Sequence, residues 1–129
     1  MKQENKPNEI LILEDDKDIA ALLCMYVRRE CYEPVHYQTG REGRIYLSKY
    51  HPAAMTTDED MICPYGMPEI KGHQVCEWAR ALNYTGPILH YSGQPLGEFE
   101  ASRLEGLEII IAQKPNHTAY KEFILGLRQ

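Results

Sequence analysis

The chain has 129 residues, of which 43% are hydrophobic and 26% charged, and its formal net charge is −5. This is the composition of one globular domain, and its acidity argues against non-specific binding to nucleic acid or an anionic membrane, both of which select a basic face. No apolar run approaches the roughly 20 residues needed to span a bilayer. The polar start MKQENKPNE lacks the apolar stretch of a secretion signal. Cys24, Cys31, Cys63 and Cys76 contain no C-x-x-C pair, which argues against a zinc site and for thiols in a reducing cytoplasm.

Residues 1–8 read as a disordered lead-in and 9–129 as the domain. EILIL (9–13) is a short, continuous apolar run suited to a strand buried on both faces. From Asp18 the period changes: Ile19, Leu22, Leu23, Tyr26 and Val27 mark one face of a helix, with Asp16 placed to cap it. PVHY (34–37) is a second, weaker strand. Gly43, Tyr46, Leu47 and Tyr50 give a second helix between the Thr39-Gly40 turn and His51-Pro52. AAMTT (53–57) is a third strand. Val75, Cys76, Ala79 and Leu82 form a third helical stripe. PILHY (87–91) and EIIIA (108–112) are strands on either side of a short, weakly patterned segment, 97–106, which reads at best as a poor helix. Tyr120, Phe123, Ile124 and Leu127 close the chain with a helix.

Strands that alternate with helices form a parallel sheet covered on both faces, and such sheets bind ligands beyond the carboxyl ends of their strands. At those ends stand Glu14, Asp15 and Asp16 after the first strand, Asp58 after the third, Ser92 after the fourth and Lys114 after the fifth. Clustered carboxylates suit a hard divalent cation, Mg²⁺ first. A lysine ammonium and a hydroxyl opposite them suit a phosphoryl group on its way to a carboxylate nucleophile.

In order and interval, the motifs ILILEDDKDIAALL, TGREGRIYLSKYHPAAMTTD, MPEIKGHQVC, PILHYSG and QKP resemble the receiver domain of two-component response regulators over residues 9 to 128. The resemblance implies a flavodoxin-like, doubly wound α/β fold with a five-stranded parallel sheet in the order 2-1-3-4-5. It implies Asp58 as phosphoacceptor, assisted by Ser92 and Lys114. It implies Mg²⁺ held by Glu14, Asp15, Asp58 and the backbone carbonyl of Asp60, and a cis peptide before Pro115. The activity implied is self-catalysed phosphotransfer to the domain and its dephosphorylation, rather than turnover of a separate substrate. The implied partners are a sensor histidine kinase or phosphotransfer protein upstream, and a downstream protein or an effector domain outside this chain. No nucleic acid or membrane contact is expected of this chain, and the expected location is the cytoplasm.

Three departures from that pattern bear on function, one being the weak segment 93–106, which falls on the family's signalling face. The family places Met-Pro shortly after the acceptor, with Gly four residues later; here Met67-Pro68 and Gly72 come six residues late, so ICPYGM (62–67) reads as an insertion in a surface loop. Ile111 stands three residues before Lys114, where the family usually carries Tyr or Phe. The insertion and Ile111 leave open a pseudo-receiver, an interaction module that works without phosphate. A phosphate-ester hydrolase is a weaker third reading, because it needs a second acid and a cap over the site. Trp78 and the histidines, His73 and His90 among them, show no metal-ligand spacing and receive no role.

Overall fold

The computed structural model describes residues 3–63 and 65–128. Along them run β1 (Glu4–Leu13), α1 (Lys17–Arg29), β2 (Glu33–Tyr37), α2 (Gly40–Lys49), β3 (Tyr50–Thr57), α3 (Gly72–Ala81), β4 (Ile88–Ser92), α4 (Glu98–Gly106), β5 (Ile110–Gln113) and α5 (His117–Gly126). All neighbouring strands pair parallel, in the order β2-β1-β3-β4-β5. This is the expected doubly wound sheet. Its direction of winding reverses beside β1, which opens a crevice beyond the carboxyl ends of β1 and β3.

The apolar runs supply both faces at once, because successive strand side chains point to opposite sides. Leu11 and Leu13 of β1, Met55 of β3 and Ile88 of β4 pack with Leu47, Val75 and Leu104 from the helices α2, α3 and α4. Ile10, Ile12, Ala54, Leu89 and Tyr91 pack on the other side with Leu23, Val27, Tyr120 and Ile124 of α1 and α5. Each fully buried aliphatic side chain contributes about 1.5–3 kcal/mol by area transfer. Within the second layer the Thr56 and Tyr120 hydroxyls share a 2.8 Å hydrogen bond, which leaves neither unsatisfied.

Strands β4 and β5 start one and two residues later than the sequence expectation, and three further differences matter more. The segment read as lead-in is strand from Glu4 onward: Glu4, Asn5 and Lys6 register with Tyr50, His51 and Pro52. The register then shifts between Lys6 and Ile10, around Pro7, which has no N–H to give the ladder. Residues 1 and 2 lie outside the described part. The same pairing explains the second difference, since α2 ends at Lys49 and Tyr50 already belongs to β3. Third, 98–106 is a regular helix although its pattern is faint, because Leu104 is its only buried residue. Among the described residues no helix is long and apolar enough to cross a membrane.

Candidate functional site

The β1–α1 turn is short because its acids divide their work. Asp16 caps α1, its Oδ1 accepting from the amides of Asp18 (2.9 Å) and Ile19 (3.1 Å). The Asp16 amide in turn donates to Glu14 Oε2 at 3.1 Å. Glu14 and Asp15 are thereby left to face the crevice. Main-chain bonds extend the sheet just past its strand ends: the Glu14 amide donates to the Tyr37 carbonyl (3.1 Å) and the Asp58 amide to the Leu13 carbonyl (2.9 Å). These two bonds set Asp58 beside the acidic turn.

Glu14, Asp15 and Asp58 each offer a carboxylate oxygen within 4.8 Å of the others'. Lys114, following β5 and joined to Pro115 by a cis peptide, reaches into the same space. Its Nζ donates to Asp58 Oδ2 at 2.9 Å and to Glu14 Oε1. Ser92 lies buried at the end of β4, where its carbonyl accepts from the Lys114 amide at 2.9 Å and its Oγ accepts from the Gln94 amide at 3.3 Å. The four strand ends thus bring together Glu14, Asp15, Asp58 and Lys114, with Ser92 on the adjoining strand.

Burial pushes the Glu14 carboxyl up; the Lys114 bond pulls it back and the charge of Asp58 adds to the rise. For Lys114, burial opposes the ammonium, but its bonds to Glu14 and Asp58 outweigh this and hold it above its ordinary value. One cation among three carboxylates leaves the crevice short of positive charge. Hard oxygen ligands converging at this spacing fit Mg²⁺ in chemistry and number, with water completing the shell.

The fourth expected metal ligand sits at the mouth of the long loop. The Asp60 side chain points to Lys71, whose Nζ lies 2.6 Å from Asp60 Oδ1 and 3.1 Å from Glu69 Oε1. Met61 is buried against the core, whereas Ile62, Tyr65 and Met67 are exposed. The described residues of the insertion therefore lie at the surface, beyond the Lys71–Asp60 pair at its base. Pro64 lies outside the described residues.

What the sequence reading passed over is beside Asp58. Glu59 is buried, and its carboxylate accepts three hydrogen bonds: Oε1 from the His73 amide (2.8 Å) and His90 Nε2 (2.9 Å), Oε2 from His73 Nδ1 (2.5 Å). His90 is fully buried, and its Nδ1 has no partner among the described residues. Burial alone would raise the Glu59 carboxyl; the bonds from His90 and His73 reverse this and hold it down to about 2. The signal was faint: an acid two residues past a buried strand, where a carboxylate turned inward needs partners.

The depressed value has a consequence for stability. A carboxyl whose pKa is lower folded than unfolded stabilises the fold above its unfolded value near 4.5, and loses that contribution as pH falls toward 2. Between pH 5 and pH 2.5 the wild type is expected to lose about 2 kcal/mol more than Glu59→Gln does. Urea midpoints of both proteins across that window check this; parallel curves would contradict it.

No family model matches the chain, and no curated protein does. Solved structures do. A CheY-like response regulator receiver domain from Methanospirillum hungatei JF-1 superposes with a TM-score of 0.76 at 18% identity, over 95% of this chain and 98% of that one. The signal receiver domain of a putative LuxO repressor protein from Vibrio parahaemolyticus gives 0.75 at 19%, over 95% and 94%. The signal receiver domain of a signal transduction histidine kinase from Syntrophus aciditrophicus gives 0.71 at 23%, over 95% and 93%. The fold is the receiver fold along nearly the whole chain.

Proposed function

We propose that this chain is a response regulator receiver: Asp58 accepts a phosphoryl group from a phosphohistidine of a sensor kinase or phosphotransfer protein. The observation that carries the reading is the meeting of Asp58, Glu14 and Asp15 with the Lys114 ammonium at the switch point of a receiver fold. In the transfer, the donor's N–P bond breaks, an O–P bond forms at an Asp58 oxygen, and the freed imidazole nitrogen keeps the electron pair and takes a proton from water. Asp58 Oδ1 is held by the Glu59 amide at 2.7 Å, and Oδ2 by Lys114. The carboxylate is thereby oriented before a donor arrives, which lowers the entropic part of the barrier. Glu14, Asp15, Asp58 and the Asp60 carbonyl would hold Mg²⁺, which when bound neutralises phosphoryl oxygens. Lys114 is placed to pair with the new phosphoryl group, and Ser92 to donate its hydroxyl to it. A kinase upstream and a protein or effector domain downstream, in the cytoplasm, complete the reading.

A second reading, an interaction module that works without phosphate, draws on Ile111, half-buried on β5 where the resemblance leads one to expect a ring, and on the exposed apolar tip of the long loop. One measurement separates the two. Incubated with acetyl phosphate and Mg²⁺, the intact protein is expected to gain one phosphoryl mass that is absent in Asp58→Asn. No gain in the wild type with Mg²⁺ or Mn²⁺ would favour the phosphate-independent module.

A further inference from the structure

We infer that Glu59 is a positioning residue for the phosphoacceptor site: it locks the acceptor turn to α3 and β4 and so keeps Asp58 and Asp60 in place despite the lengthened loop. This rests on the reading of Asp58 and its neighbours given above. Five hydrogen bonds meet at Glu59. Its carboxylate takes the His73 amide, the His73 ring and the His90 ring; its carbonyl accepts from the Gly72 amide at 2.9 Å; its amide donates to Asp58 Oδ1 at 2.7 Å. The last of these couples the side-chain clamp directly to the acceptor carboxylate. A rotation of the Glu59 main chain that frees its side chain also withdraws the donor from Oδ1.

Lys114 and the Leu13 carbonyl hold Asp58 itself; on the loop side of the turn the other restraints are weaker. The Lys71–Asp60 pair is solvent-exposed, and pairs of that kind contribute little. Met61 anchors by packing, which is not directional. The clamp is directional, buried and spread over three elements, and one of them is β4, which carries Ser92 two residues beyond His90. It therefore joins the strand bearing the acceptor to the strand bearing the hydroxyl. A loop made longer by six residues loses the tether of a short connection; the Glu59 bonds restore it from the side.

The chemistry of the clamp supplies its own control. Glutamine at position 59 keeps an oxygen for the His73 amide and His90 Nε2, and its NH₂ can donate to His73 Nδ1 in the neutral ring. Leucine keeps the volume and none of the bonds. Calorimetric Mg²⁺ titration and urea unfolding of the full chain are therefore run on the wild type, Glu59→Gln, Glu59→Leu and His73→Ala. Both Glu59 variants are expected to lose stability, but only Glu59→Leu to weaken Mg²⁺ binding, by fivefold or more. His73→Ala, at a partly exposed helix start, is expected to weaken it about threefold.

Mg²⁺ affinity within twofold of wild type in folded Glu59→Leu, or in His73→Ala should Glu59→Leu not fold, overturns the inference. Equal weakening in the Gln and Leu variants overturns it too, since a merely structural role would move affinity with stability. Should the wild type bind no Mg²⁺, the proposed function fails by itself. Hydrogen exchange then tests the clamp alone: the Glu59 and Gly72 amides are expected to exchange at least tenfold faster in Glu59→Leu than in Glu59→Gln, and equal rates overturn it.

Discussion

Replacing Lys114 with methionine is expected to lower stability by about 3–5 kcal/mol in EDTA, because it leaves Glu14 and Asp58 facing each other in a buried crevice with no cation between them. Glu14 is almost fully inaccessible and Asp58 nearly so, hence neither can turn to water without disturbing the strand ends. The loss should shrink when Mg²⁺ is added, since a divalent cation can take up the charge the ammonium neutralised. Mg²⁺ itself should bind more tightly to the variant than to the wild type, because the competing positive charge is gone. Urea unfolding with EDTA and with Mg²⁺, together with a calorimetric titration, measures all three. A variant as stable as the wild type in EDTA would mean that Lys114 does not hold these carboxylates in solution.

Gly72→Ala is the second substitution with a large expected effect. A Cβ at Gly72 overlaps the Asp58 carbonyl oxygen and lies 2.8 Å from its carbonyl carbon and 3.0 Å from Glu59 Cα. All three are main-chain atoms of the turn after β3 and have no flexible end to move aside. Helix α3 must then back away, stretching the Gly72 amide bond to Glu59 and the two bonds from His73. We expect a loss of about 2–3 kcal/mol from overpacking, together with weaker Mg²⁺ binding. Circular dichroism melts and the same titration check this. Unchanged stability would show that the helix start tolerates displacement.

These two residues also show what the sequence reveals and what it conceals. Lys114 was legible because the crevice assembles the ends of strands, and strand ends can be counted from the EILIL, AAMTT and EIIIA runs without knowing any contact. Gly72 was legible only as a spacing, four residues after Pro68; its reason, a helix start pressed onto the Asp58 carbonyl, is a tertiary fact. Glu59 lay further out of reach. A carboxylate in a string of three acids reads as solvated loop, and its burial depends on His90 from β4 and His73 from α3 arriving from 31 and 14 residues away. The start of β1 was hidden for a similar reason. ENKP has the composition of a tail, and only the partner segment at Tyr50–Pro52 makes it strand. Helix α4 was faint because a helix with one buried residue carries almost no periodic signal.

The early start of β1 matters for handling the molecule. The strand runs ten residues, from Glu4 to Leu13, and its last residue abuts the acids. At about 3.3 Å per residue its first residue lies roughly 30 Å away. A dye, a surface linker or a fusion partner attached ahead of Glu4 therefore sits at the opposite pole of the sheet, clear of the acidic crevice, and the pairing with Tyr50–Pro52 keeps that anchor rigidly registered to the rest of the domain.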